Sequence, residues 1–132
     1  MTRYLLDTNV VIWLLLGDRS ALSPGVAEAI ARPTSEPLVS AASVWEIAIK
    51  TSLGKLTIDD SWPRALTRLD VTHLPVTAEH AAHVQHLPWH HRDPFDRLLV
   101  AQAEVEGATL VTADQQLERY DVAVLRAKSS RR

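Results

Sequence analysis

Four acidic residues sit where several short apolar runs of this sequence end or are about to begin. Asp7 follows Tyr4-Leu5-Leu6, Glu46 lies two turns beyond Pro37-Leu38-Val39-Ser40, Asp96 opens an apolar-periodic segment, and Asp114 follows Thr109-Leu110-Val111-Thr112. Four carboxylates brought to one place repel each other. They stay ionised together only around a cation; otherwise some hold protons. An all-oxygen set in a chain without cysteine suits Mg²⁺ or Mn²⁺. Such a centre can hold a phosphate, lower the pKa of water and stabilise a leaving oxygen.

Each acid also has a plainer reading. Asp7 can cap a helix, and Glu46 and Lys50 form the favourable i, i+4 pair. Asp93 precedes Pro94 as a helix cap, which puts Asp96 at the positive end of the dipole. Asp114 can cap a turn over residues 115–118. No single acid decides between the readings; their common placement carries the weight.

That placement depends on the elements around them. Tyr4–Leu6 reads as a buried strand, followed by a helix over Val10–Leu16 that Gly17 closes. Ser23-Pro24 opens a helix to about Arg32, and 37–40 form a second strand. Ala41–Leu53 is helical, with positions 41, 44, 45, 48 and 49 on one apolar face. A short helix ends near Leu69, a third strand covers 72–75, and Thr77 caps a helix over 78–87. Asp93-Pro94 starts the clearest helix, which runs to Gly107. Strands at 109–112 and 122–125 follow. Short apolar strands alternating with helices predict an α/β fold, a parallel sheet covered on both faces. Ligands of such sheets bind beyond the carboxyl ends of the strands, where these acids fall.

The histidines form a competing cluster. His80, His83 and His86 recur at i, i+3 and i+6, and the first two could share a face and bind zinc. Pro88 ends that helix and no HExxH motif occurs, so surface or groove positions fit better. Trp13, Trp45, Trp62 and Trp89 read as core or interface residues, with base stacking an option for Trp89. The chain has no GxxxxGK[ST], GxGxxG or GxSxG, and only four glycines.

Composition sets outer bounds. The chain has 132 residues, 46% of them hydrophobic, which fits one globular domain. We expect that domain to span 1–125, with a basic tail at 126–132 containing Arg126, Lys128, Arg131 and Arg132. The longest apolar run, Val10–Leu16, is far short of the roughly 18 residues of a membrane span. With no export signal in view, a cytoplasmic protein is expected. The formal charge of −2 looks wrong for a nucleic-acid binder, yet without the four candidate acids it would be +2. Binding to a polyanion is therefore expected to depend on the metal.

Four segments together carry a resemblance. They are Leu5-Leu6-Asp7-Thr8-Asn9-Val10; Ser43-Val44-Trp45-Glu46-Ile47-Ala48-Ile49-Lys50; His91 to Ala103 with Asp93-Pro94-Phe95-Asp96-Arg97-Leu98; and Leu110-Val111-Thr112-Ala113-Asp114. In this order and spacing the chain resembles the PIN-domain ribonucleases, and within them the VapC toxins of toxin–antitoxin pairs. The resemblance covers about residues 3–125. It implies a three-layer α/β/α sandwich around a parallel sheet of about five short strands. It also implies Mg²⁺- or Mn²⁺-dependent endonucleolytic cleavage of RNA.

The family's acids fall on Asp7, Glu46, Asp96 and Asp114, as catalytic groups and metal ligands. Its small polar residues fall on Asn9 and Thr112, in support, and Asp93 is a cap or an outer partner of Asp96. Lys50 and Arg97 are candidates for contacting RNA or pairing with nearby carboxylates. The implied partners are an RNA substrate, a VapB-type antitoxin and a second copy of the chain. Trp13, Leu15 and Leu16 are interface candidates for the second copy, with core burial as the alternative. Two rival readings remain: a PIN-fold module that binds RNA or protein without cutting, and a phosphatase with Asp7 as nucleophile. The phosphatase reading wants a second Asp where Asn9 stands.

Overall fold

The computed structural model describes residues 1–128, so Arg131 and Arg132 of the expected tail lie outside the described residues. Among the described residues five strands form one sheet: β1 (Thr2–Leu6), β2 (Ser35–Ser40), β3 (Thr72–Leu74), β4 (Thr109–Thr112) and β5 (Val124–Arg126). All pair in parallel, in the order β3-β2-β1-β4-β5. Six helices cover the sheet: α1 (Thr8–Leu16), α2 (Pro24–Ala31), α3 (Ala41–Ser52), α4 (Trp62–Arg68), α5 (Ala78–His83) and α6 (Pro94–Glu106). This is the expected three-layer arrangement. Among the described residues no helix is long and apolar enough to cross a membrane.

Register explains the two cores. Leu5 pairs with Leu38 and Leu110, whereas Leu6 pairs with Val39 and Val111. Successive strand residues face opposite sides. Leu5, Leu38 and Leu110 therefore pack with Leu99, Val100 and Ala103 of α6. Leu6, Val39 and Val111 pack with Val10 and Val11 of α1 and Leu66 of α4. The central strand is buried on both faces, which is why it reads as an unbroken apolar run.

Local chemistry fixes the element ends. Gly17 (φ 69°) and Gly107 (φ 66°) close α1 and α6 in the left-handed conformation that glycine adopts without strain. The helix expected over 78–87 is α5 plus a 3₁₀ turn at Val84–His86, because Pro88 follows. His80 and His83 both turn a ring nitrogen to an acid of α6. Nε2 of His80 meets Glu106 at 2.7 Å and Nε2 of His83 meets Glu104 at 2.8 Å, which ties α5 to α6.

One expectation is corrected. On α3 the buried residues are Ala42, Ser43, Glu46 and Ile47, so the predicted apolar face turns outward and Trp45 is 61% exposed. Ser43 and Glu46 are drawn inward by tertiary contacts, and periodicity alone ranks them as surface. The chain just past residue 125 makes its own contacts. Arg126 lies in β5 and pairs with Glu118, and Ala127 is fully buried, its N–H donating to the Thr112 carbonyl.

Candidate metal centre

β1 and β4 are neighbours in space, and the chain leaves them in different directions. This makes the crevice beyond their carboxyl ends the topological switch point of the sheet. Asp7 and Asp114 sit there. Asp7 is 4% exposed and caps α1, its Oδ1 accepting the Val10 N–H at 3.0 Å. Its own N–H donates to the Val111 carbonyl, which locks it to β4. The Thr112 hydroxyl accepts the Asp114 N–H at 3.0 Å and lies close enough to Asp7 to counter the rise of its carboxyl.

Glu46 and Asp96 arrive from helices that pack on each other, α3 and α6. Oε2 of Glu46 pairs with Lys50 at 2.9 Å, while its buried Oε1 has no hydrogen-bond partner. Lys50 thus holds a site carboxylate. Asp93 caps α6, accepting from the N–H groups of Phe95 at 2.8 Å and Asp96 at 3.0 Å. The structural and functional readings of Asp7, Asp93 and Asp114 are compatible, since capping leaves further lone pairs free. Asn9 is exposed in the first turn of α1. The contact that joins α1 to α3 is a buried hydrogen bond from Thr8 Oγ1 to Ser43 Oγ at 3.0 Å. Ser43 lies one turn before Glu46. Neither partner stands out by type or spacing.

The charges of these groups reach one another. Burial pushes the Asp7 carboxyl up, and the negative charges of Asp114 and Glu46 add to it, against hydrogen bonds from Thr112 and Val10. Burial likewise pushes Asp96 to about 7, with Asp93, Asp7 and Glu46 adding and His91 opposing. Crowded, buried carboxylates with an orphaned oxygen at Glu46 are what an oxygen-rich divalent-ion site requires. The donor set fits Mg²⁺ or Mn²⁺.

A stability consequence follows for protein kept in EDTA. The folded chain holds a proton on Asp96 between its ordinary 3.8 and about 7, and the unfolded chain releases it. Stability therefore falls as pH rises across that window. Thermal unfolding from pH 4 to 8 should show this slope, and Asp96→Asn should flatten it. An equal slope in the variant would remove Asp96 as its source.

Arg97 is not where the sequence reading put it. Arg97 neither reaches solvent nor pairs with an acid: it is 3% exposed. Its guanidinium donates to the carbonyls of Pro88 (3.0 Å), Val84 (3.2 Å), His91 (3.4 Å) and Leu87 (3.5 Å), and to Tyr120 Oη (3.4 Å). It also stacks 3.7 Å from the centroid of Trp89. Arg97 is a clamp for the loop 84–91. That loop delivers His91, which sequence reasoning did not assign to the site. Nε2 of His91 lies 2.9 Å from Asp114 Oδ2 and 3.3 Å from Asp96 Oδ2.

The comparisons agree with the fold. The PIN domain family model matches residues 4–123. None of the curated proteins matches the sequence significantly. Among solved structures, the chain is similar to VapBC2 from Rickettsia felis bound to a promoter DNA fragment, at TM-score 0.72 and 16% identity, covering 94% of this chain and 98% of that one. VapBC-1 from Haemophilus influenzae gives TM-score 0.68 and 21% identity, with 94% and 97% covered. DNA-bound VapBC from Salmonella typhimurium gives 0.65 and 18%, with 95% and 98% covered. At these identities the likeness speaks for the fold.

Proposed function

The chain belongs to the PIN domain family, and from that premise we propose that it is a divalent-metal-dependent endoribonuclease, the VapC-type toxin of a toxin–antitoxin pair. One observation carries the reading: four acids from separate elements converge, Asp114 and Glu46 pushing the Asp7 carboxyl up, Asp7 and Glu46 pushing Asp96 up, and Asp96 and Asp114 offering oxygens within 4.8 Å of each other and of His91. A non-catalytic module has no need to keep buried carboxylates in mutual repulsion. A phosphatase using Asp7 alone leaves the other three unexplained.

Asp7, Glu46, Asp96 and Asp114 would hold one or two Mg²⁺ or Mn²⁺ ions. A bound divalent ion supplies Lewis acidity, which makes water a competent nucleophile and offsets charge on a phosphodiester. The residues of the chain do the placing. Asp7 is immobilised between α1 and β4, and Thr112 holds the Asp114 backbone beside it. Lys50 holds one oxygen of Glu46 and leaves the other free toward the site. A carboxylate left without a metal contact can orient the attacking water or accept its proton. Attack by water, not by the ribose 2′-hydroxyl, leaves a 5′-phosphate and a 3′-hydroxyl.

The structural neighbours are VapBC complexes, which supports a VapB-type antitoxin as partner. A homodimer is proposed as well. Trp13 and Leu15 are largely taken up by packing, whereas Ala41, Trp45 and Ala48 on the outer face of α3 stay exposed. We place the protein in the cytoplasm, with its RNA.

Chelation tests the reading. EDTA should stop RNA cleavage by the purified chain, and Mg²⁺ or Mn²⁺ should restore it while Ca²⁺ does so poorly. Full cleavage in EDTA would refute metal dependence.

A further inference from the structure

We propose that His91 is a positioning residue of this centre, a proton donor that holds Asp96 and Asp114 in register, and not a metal ligand. The inference rests on the reading of the carboxylates as a metal site.

The polarity of one hydrogen bond carries it. The Asp93 backbone N–H donates to Nδ1 of His91 at 3.0 Å. A backbone amide nitrogen can only donate, so the ring's lone pair is at Nδ1 and its proton is at Nε2. That Nε2–H faces Asp114 Oδ2 at 2.9 Å and Asp96 Oδ2 at 3.3 Å. A ligating histidine is wired the other way: its far nitrogen donates to a carbonyl or carboxylate and leaves the near lone pair for the metal. His91, Asp96 and Asp114 offer ligand atoms within 4.8 Å of each other, which by distance alone resembles a three-ligand set. The bond from Asp93 points the proton, and not the lone pair, at the two acids.

The ring is held firmly enough to act this way. The His91 N–H donates to Tyr120 Oη at 3.0 Å, and its carbonyl accepts from Arg97. Its side chain is only 17% exposed. Asp96 comes from α6 and Asp114 from the turn after β4; the ring's hydrogen bond goes to Asp114, and Asp96 Oδ2 lies 3.3 Å from the same nitrogen, so the imidazole seats Asp114 beside Asp96. Asp93 then has two tasks, capping α6 and orienting the imidazole.

Mn²⁺ binding to the full chain, followed by electron paramagnetic resonance, tests the assignment in the wild type, His91→Gln and His91→Ala. Glutamine keeps an N–H donor near the position of Nε2. Loss of such an outer partner weakens a metal site about 10–100-fold, which is the drop expected for His91→Ala. His91→Gln should recover most of it, and the wild-type spin-echo spectrum should show no directly coordinated imidazole nitrogen. A coordinated nitrogen would make His91 a ligand. Unchanged affinity in His91→Ala, or equal losses in both variants, would also overturn the proposal. If the wild type binds no Mn²⁺, the metal centre itself falls and the positioning role with it. Thermal unfolding of each variant checks that the fold persists.

Discussion

Asp7→Asn and Asp96→Asn each lower RNA cleavage by at least about 10²–10³-fold, the scale of losing one preorganised charge-stabilising group. Neither change should cost stability. At position 7 the amide still caps α1, because Asn and Asp are equivalent caps for the Val10 N–H. What disappears is a buried negative charge in the company of Asp114 and Glu46. At position 96 the change removes a carboxylate already held up to about 7 by burial and its neighbours. In EDTA at pH 8 both variants should therefore melt at or above the wild-type temperature. Inactive yet equally or more stable is the signature of a functional site kept against its own stability. An inactive variant that melts far lower would mark that acid as structural.

Arg97→Ala should be the most damaging single substitution outside the hydrophobic core. It strips four carbonyls and a tyrosine hydroxyl of a shared donor and leaves a cavity beneath Trp89. Buried groups left without partners cost about 1–3 kcal/mol each, and only part of that is recovered as water enters. A net loss of about 3 kcal/mol or more is expected, roughly 10 °C in Tm for a chain of this length. Arg97→Lys should recover little, since an ammonium cannot reproduce the planar fork. The same variant should weaken Mn²⁺ binding, because the loop that Arg97 clamps carries His91. If Arg97→Ala melts like the wild type and only RNA affinity falls, the clamp is wrong and an RNA contact is right.

These two residues mark the boundary of what the sequence reveals. Asp7, Asp96 and Asp114 stood out as candidates because each follows a feature with its own signal: an apolar run for Asp7 and Asp114, an Asp-Pro helix start for Asp96. Parallel strands made a common edge the expected place. Arg97 was not legible. An arginine beside a candidate ligand reads as a substrate contact, and only the loop's carbonyls, distant in the chain's local pattern, reveal its burial. His91, one of six histidines, stands at the head of the Asp-Pro segment, yet its residue type and spacing assign it no role. Its role depends on hydrogen-bond polarity, which composition does not encode. On α3 the periodicity identified a real apolar face but the wrong side for the core. The buried side holds Ser43 and Glu46, a choice made by packing on α1 and α6.

The central claim is that these carboxylates direct water to an RNA phosphodiester. Sequencing of RNA 5′ ends after brief expression, against an Asp7→Asn control, tests it most directly. The account predicts new internal ends bearing a 5′-phosphate, absent from the control. No new ends, ends equally abundant with Asp7→Asn, or 5′-hydroxyl ends left by attack of the 2′-hydroxyl would contradict it.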